Sequence, residues 1–355
     1  MNIAILVPYL AKTGPVNVLL GLIDGIKNRA QIIVVTVYSD NDPDVVKEIS
    51  SAGVGVHNLG NISIIKPIIL RRLIKKYNVE VLNSHGLVPS IISRIVKDSV
   101  LKVVQTIHHN PINYFTHKAG KYIGSFVAWL EINCSNRSSA TILVSKALLT
   151  EISGIKGSVY VVANGVVKNK YYYDEVSRIE LRNNLGIKEE DIVFIYAGHL
   201  IEKKGVNKII SAFQVNNKSN CHILLIGDGL LYDDISKVAL DVPNIHLLGR
   251  KSNVRDFYSA ADYYISASES EGMPMAVLEA ISCGCICFLS DIGPHRDIEL
   301  KLGERYVKII SWKNFPVNVL SVNKKNIEIP FWVTSTRMAD EYLSVLSDVL
   351  KNKIK

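Results

Sequence analysis

Ser266-Ala267-Ser268-Glu269-Ser270-Glu271-Gly272-Met273-Pro274-Met275-Ala276-Val277-Leu278-Glu279-Ala280 reads as the end of a strand, an acidic loop and the opening of a helix. The strand is carried by Tyr263, Tyr264 and Ile265, all good β-formers. Pro274 has the residue type favoured at the first helical position, and the helix runs to about Cys283, where Gly284 ends it. In such a turn the N–H groups of Met275, Ala276 and Val277 have no intrahelical partner and lie at the positive end of the helix dipole, a seat for phosphate. Glu279 lies a little over one turn further in. Helical side chains lean toward the N-terminus, so its carboxylate reaches the same loop, where it suits hydroxyl groups. The same stretch also reads as an ordinary buried helix behind a solvated acidic loop, and its surroundings decide between the two.

Outward from this turn, short runs of Val, Ile and Leu alternate with longer segments of helical period, the pattern of a parallel sheet covered by helices. The alternation occurs twice. Strands are expected at 2–7, 32–37, 55–59, 81–83, 102–107, 141–144 and 159–162, with helices near 15–28, 43–52, 64–77, 87–97 and 117–137. A second set of strands follows at 192–197, 222–226, 245–248, 263–266 and 286–289. With 355 residues the chain exceeds a single core. The expected fold is α/β: two doubly wound, Rossmann-like domains, 1–166 and 167–333, facing a central cleft, with a final helix in 334–355 packed on one or the other. Ligands of such sheets bind beyond the C-terminal strand ends.

Composition narrows the chemistry. Mean hydropathy is +0.18 and no apolar run reaches the roughly 18 residues of a membrane helix. Met1-Asn2-Ile3-Ala4-Ile5-Leu6-Val7-Pro8 lacks a basic leader and reads as a buried strand, and five unevenly spaced cysteines argue against a disulfide framework, so a cytoplasmic protein is expected. Residues 1–170 hold 19 Lys and Arg against 9 Asp and Glu, the remainder 22 against 24. Part of the excess interleaves with apolar residues, in Lys66, Arg71, Arg72, Lys75 and Lys76 among isoleucines, and in Lys118 and Lys121 beside Tyr122, Phe126 and Trp129. These segments read either as amphipathic helices on an anionic membrane surface or as helices with a solvated basic face. No recognised nucleic-acid motif accompanies the charge, so no nucleic acid partner is expected.

Several chemistries are excluded. The loop after the first strand contains only Gly14, not the three glycines of a dinucleotide fingerprint, which disfavours hydride transfer. Gly14 instead permits close backbone approach to a diphosphate, or is a plain loop glycine. G-x-S-x-G is absent. Cys283, Cys285 and Cys287 lack C-x2-C spacing and a second pair, so no metal site and no cofactor are expected.

Taken together, these elements resemble the family-four retaining glycosyltransferases of GT-B fold, over nearly the whole chain. The resemblance rests on Glu271-x7-Glu279 within residues 270–280, on Gly284 and residues 290–297 (Ser-Asp-Ile-Gly-Pro-His-Arg-Asp), on residues 197–205 (Ala-Gly-His-Leu-Ile-Glu-Lys-Lys-Gly), and on Ile226-Gly227-Asp228-Gly229, Leu248-Gly249-Arg250 and Asn164-Gly165. It implies that Glu279 holds the donor ribose, that Glu271 lies near the reacting sugar, and that the backbone of Gly272 and Met273 meets the sugar. Met275 and Ala276 then lie near the diphosphate, and Gly249 and Arg250 line the base. Lys204 would neutralise the departing diphosphate. His199 stands where the family usually has arginine, so its charge depends on pH, and Lys203 or Lys12 is a candidate to compensate. If His199 contacts the diphosphate, activity falls above neutral pH and His199→Arg flattens that profile. Thr106-Ile107-His108 matches a Thr-x-His loop, which makes His108 the catalytic histidine beside Glu271 and Lys204; His85 is an acceptor-side candidate.

The implied function is transfer of a hexosyl residue from a UDP- or GDP-sugar to a glycan or lipid-linked oligosaccharide acceptor, as in bacterial surface polysaccharide biosynthesis at the inner face of the cytoplasmic membrane. The leaving phosphate itself would help deprotonate the acceptor. Two alternatives remain from the sequence: a nucleotide-sugar epimerase of the same fold, and a non-catalytic sugar-nucleotide-binding or scaffold protein.

Overall fold

The structure is a computed structural model that describes residues 1–215, 219–312, 315, 319, 322, 324 and 327–351. The chain divides into two compact units, 1–165 with 335–355, and 166–334. The expected terminal segment includes 352–355, which lie outside the described residues.

The first unit is built on seven parallel strands: β1 (Asn2–Val7), β2 (Gln31–Thr36), β3 (Gly55–Asn58), β4 (Val81–His85), β5 (Lys102–Ile107), β6 (Ala140–Leu143) and β7 (Val159–Val161), in the order β3-β2-β1-β4-β5-β6-β7. The chain winds outward from β1 and then restarts at β4 beside it, so the topological switch point lies between β1 and β4. Helices α1 (Gly14–Ile26), α2 (Pro43–Ser51), α3 (Lys66–Lys76), α4 (Leu87–Val96), α5 (Pro111–Ala119), α6 (Lys121–Ser135) and α7 (Lys146–Glu151) fill the crossovers. Where a single helix was expected at 117–137 there are two. Asn110 caps α5 by accepting from the N–H groups of Ile112 and Asn113, and Gly120, at φ +77, ends it and turns the chain into α6.

The second unit holds α8 (Glu175–Asn184), β8 (Ile192–Ala197), α9 (Val206–Val215), β9 (Cys221–Ile226), α10 (Tyr232–Asp241), β10 (Ile245–Gly249), α11 (Val254–Ala260), β11 (Tyr263–Ser266), α12 (Met275–Ser282), β12 (Ile286–Leu289), α13 (Gly293–Leu302) and β13 (Val307–Ile309). Among the described residues its sheet is parallel in the order β10-β9-β8-β11-β12-β13, with the switch point between β8 and β11. Phe194, Phe213, Tyr263, Phe288 and Phe315 pack together at the middle of its core, with the Tyr263 and Phe288 rings stacked at 5.0 Å. Buried Asp262 ties α8 to the sheet: its carboxylate accepts from Arg178 and Arg182, each at 2.9 Å, and from the Val193 N–H at 2.8 Å.

The last helix, α14 (Ser335–Lys351), belongs to the first unit. It buries Met338, Ala339, Tyr342, Leu346 and Val349, and Arg337 donates to the carbonyls of Ala163 and Asn164 at 2.8 and 2.7 Å. Gly21 and Gly25 of α1 make room for it. A Cβ on Gly25 would stand 2.4 Å from Ala339 Cβ.

Candidate active site

In the second unit the loops after β8 and β11 flank the switch point, and an ion pair joins them: Lys204 Nζ lies 2.6 Å from Glu271 Oε1, both partly buried. Lys204 closes a short 3-10 turn, Glu202–Lys204, and Gly205 follows at φ +66. Gly205 is required there because a Cβ would come within 2.2 Å of the Ala267 carbonyl oxygen, so the two loops touch through backbone. The Glu269 N–H donates to the Lys203 carbonyl at 3.0 Å and Lys208 pairs with Glu269 at 2.9 Å, fixing the register of the loops. Tyr196 is buried beneath them. Its hydroxyl donates to the His199 carbonyl at 2.8 Å, and burial with the Glu271 charge nearby pushes its pKa up.

Pro274 is not the first helical residue but the N-cap, in extended conformation, and it offers no side-chain acceptor to the first turn of α12. The amides of Met275, Ala276 and Val277 therefore begin the helix shortly after Glu271 in the chain, with Gly272 and Met273 buried in the intervening loop. Glu279 is 7% exposed, with the Tyr258 hydroxyl 3.4 Å from Oε2. The glycine loops of the sheet pack against the same edge. Leu200 N–H donates to the Asp228 carbonyl at 2.9 Å and Gly227 N–H to the Gly249 carbonyl at 3.0 Å. A Cβ on Gly227 would stand 1.8 Å from the Gly198 carbonyl oxygen. Gly249 ends β10 at φ +68, and Arg250 and His199 are exposed.

In the first unit Gly14 opens α1 just past β1, and Lys12 of that loop pairs with Asp44 at 2.6 Å and Asp42 at 3.7 Å. Lys12 is therefore engaged by carboxylates of its own unit. His85 and His108 come together across the ends of β4 and β5: His85 Nδ1 and His108 Nε2 are 2.7 Å apart, and His85 Nε2 is 2.6 Å from Asn83 Oδ1. Parallel pairing sets His85 beside Thr106, and the period of two along each strand brings Asn83 and His108 onto the same face. Burial holds His85 down at about 4, and burial together with His85 and His109 holds His108 well below the usual range.

Three residues of these sites were not singled out from the sequence. Asn83 is one, legible only once β4 and β5 are paired. Tyr196 is another, a core strand residue whose hydroxyl happens to reach the loop. The third is His295 at the start of α13, fully buried, whose Nδ1 donates to the Ser290 carbonyl at 2.8 Å while Nε2 has no hydrogen-bond partner among the described residues. Burial lowers its pKa, with Glu271 and Lys204 close enough to act on it in opposite senses. Cys283, Cys285 and Cys287 are buried with thiol pKa values pushed up by burial, and Cys285 Sγ donates to the Tyr258 carbonyl at 3.2 Å.

The family described as Glycosyltransferase Family 4 matches residues 13–170, and Glycosyl transferases group 1 matches residues 177–308. The UDP-Gal:alpha-D-GlcNAc-diphosphoundecaprenol alpha-1,3-galactosyltransferase of Escherichia coli is 27% identical over 251 residues, 65% of this chain and 64% of that protein. TuaC of Bacillus subtilis, named as a teichuronic acid biosynthesis glycosyltransferase, is 26% identical over 223 residues, 60% of this chain and 54% of its own. The chain thus spans less than two thirds of the length of these curated relatives. HepE of Anabaena, solved in complex with UDP-glucose, superposes with a TM-score of 0.68 at 17% identity, covering 99% of this chain and 92% of that one; the likeness is one of fold. With one family description on each Rossmann-like unit, in the order the motifs require, the chain belongs to the family-four, group 1 glycosyltransferases.

Proposed function

We propose that this protein is a retaining glycosyltransferase that moves a hexosyl residue from a UDP- or GDP-sugar to a glycan or lipid-linked oligosaccharide acceptor, in surface polysaccharide assembly and without a metal or cofactor. The observation that carries the reading is the Lys204–Glu271 pair, set across the switch point of the second sheet in the loop that leads into α12, whose first turn has no side-chain cap. A diphosphate seated on that turn competes with Glu271 for the Lys204 ammonium. Lys204 then faces the charge that builds as the nucleoside diphosphate departs, and the released Glu271 carboxylate is left beside the sugar. Glu279, already buried one turn in, accepts from the ribose hydroxyls.

The acceptor side of the reading draws on the first unit. Tyr122, Ile123, Phe126 and Trp129 of α6 are all more than half exposed, with the Phe126 and Trp129 rings stacked at 5.9 Å. Lys118 and Lys121 flank them, a composition that suits an anionic lipid surface presenting a lipid-linked acceptor. Among the described residues no helix is long and apolar enough to cross a membrane.

The test is to incubate the protein with a panel of UDP- and GDP-sugars, with and without membrane lipid extract. Nucleotide release stimulated by lipid, with the anomeric configuration of the donor kept in the product, is expected. Sugar isomerisation without an acceptor, or binding without turnover, would replace the proposal.

A further inference from the structure

We infer that Asn83 and His85 are positioning residues that hold His108 as its Nε2–H tautomer, so that His108 Nδ1 meets a substrate hydroxyl as a hydrogen-bond acceptor. The inference rests on the glycosyl-transfer reading for its substrate. The relay itself rests on hydrogen-bond bookkeeping along one chain of groups.

Asn83 Nδ2 donates to the Val104 carbonyl at 3.2 Å and to Thr106 Oγ1 at 2.9 Å. A carbonyl only accepts, so the amide cannot be turned round, and Oδ1 is the atom that faces His85 Nε2 at 2.6 Å. Thr106 Oγ1 shares a further hydrogen bond with the Tyr342 hydroxyl of α14, 3.1 Å away, which anchors that end of the chain in the core. His85 Nε2 must therefore carry a proton. One proton remains to be placed between His85 Nδ1 and His108 Nε2, 2.7 Å apart. Were it on His85, that ring would be an imidazolium, 4% exposed, with no carboxylate bonded to it among the described residues. His109, next after His108 in the chain, acts on the second ring, and the carboxylate of Glu131 on α6 lies 4.0 Å from His109 Nε2. Burial makes that cation costly, so the proton sits on His108 Nε2 and the second ring is neutral as well.

The lone pair at His108 Nδ1 follows from this chain. It suits a partner that can donate, such as a sugar hydroxyl, and it repels the oxygens of a phosphate. His108 lies just past the end of β5, at the sheet edge where ligands of open α/β folds bind, so the tautomer selects which part of a nucleotide sugar or acceptor can be placed against it. A histidine held as the opposite tautomer would invert that selection.

The direct test is long-range proton–nitrogen spectroscopy on protein carrying ¹⁵N-labelled histidine at neutral pH, with His85→Gln and His108→Gln used to assign the rings. Both Nδ1 nitrogens are expected at unprotonated positions and both Nε2 at protonated ones; a His108 ring protonated at Nδ1 would overturn the relay. Asn83→Leu should release the His108 tautomer and lower kcat by about tenfold or more while leaving KM for the nucleotide sugar within about twofold. An unchanged kcat, or a larger effect on KM, would reject the positioning role. Asn83→Asp is the second variant: its carboxylate favours imidazolium on His85, so the acid limb of the kcat profile should move to higher pH, and a limb that stays in place counts against the relay. If the wild-type protein releases no nucleotide from any donor, the substrate half of the inference falls with the glycosyl-transfer reading, while the ring spectra still decide the tautomer.

Discussion

Glu131 is 1% exposed on α6, and its Oε2 has no hydrogen-bond partner among the described residues, with His109 Nε2 4.0 Å away. Burial raises its carboxyl to about 7. The folded state therefore binds more protons than the unfolded chain between the ordinary carboxyl range and pH 7, so this residue costs stability progressively as pH rises through that window. Glu131→Gln should stabilise the first unit at pH 8, by at most about 3 kcal/mol, and give no gain at pH 4. Thermal melts at the two pH values check it, and equal shifts at both would show that the carboxyl is not the source. Glu279 calls for a different measurement. Glu279→Ala should weaken UDP binding by roughly tenfold or more, the scale of a hydrogen bond to a charged group, with the melting temperature held. Unchanged affinity in a calorimetric titration would remove the ribose assignment.

At the scale of elements, the site of the second unit depends on how closely loops approach one another. The contact of Gly205 with Ala267 lets Lys204 and Glu271 meet from separate crossovers, and it exists only because position 205 lacks a Cβ and stands at φ +66. Gly205→Ala combines backbone strain with a clash that neither loop can relieve without separating. It should cost about 2 kcal/mol or more and lower turnover in the same variant. A folded protein with unaltered melting temperature and rate would mean the loops are not held in this register. Gly227 makes the equivalent approach to Gly198, so the same substitution there should act alike.

At the scale of the molecule, α14 is far from the first unit in sequence and part of its core in space. Its buried face packs along α1, and Tyr342 closes the hydrogen-bond chain through Thr106 that leads to His108. Removal of residues 335–355 should therefore unfold the first unit, uncovering the Gly21 and Gly25 face of α1, while the second unit keeps its own core. Limited proteolysis of the truncated chain checks this: protected fragments from both units would contradict it.

Much of this was readable from residue order alone. Alternating apolar runs and helical periods specify two parallel sheets because strands buried on both faces must be continuously apolar, and the Ser266 to Ala280 stretch specifies a strand, loop and helix because Pro274 and Gly284 have few other backbone roles. The short strand β13 and the break between α5 and α6 were harder to read, since three residues carry little periodicity and Gly120 resembles any glycine within a helix. The pairing of side chains was left to the tertiary structure. Lys204 and Glu271 are 67 residues apart, and His85 and His108 are 23 apart. Each pair meets only after parallel strands have fixed their register, because a crossover can place its loop anywhere along the sheet edge until the sheet order is set. Sequence determined the strand, loop and helix around Glu271 and Glu279, and folding decided that Lys204 meets Glu271 and that His85 meets His108.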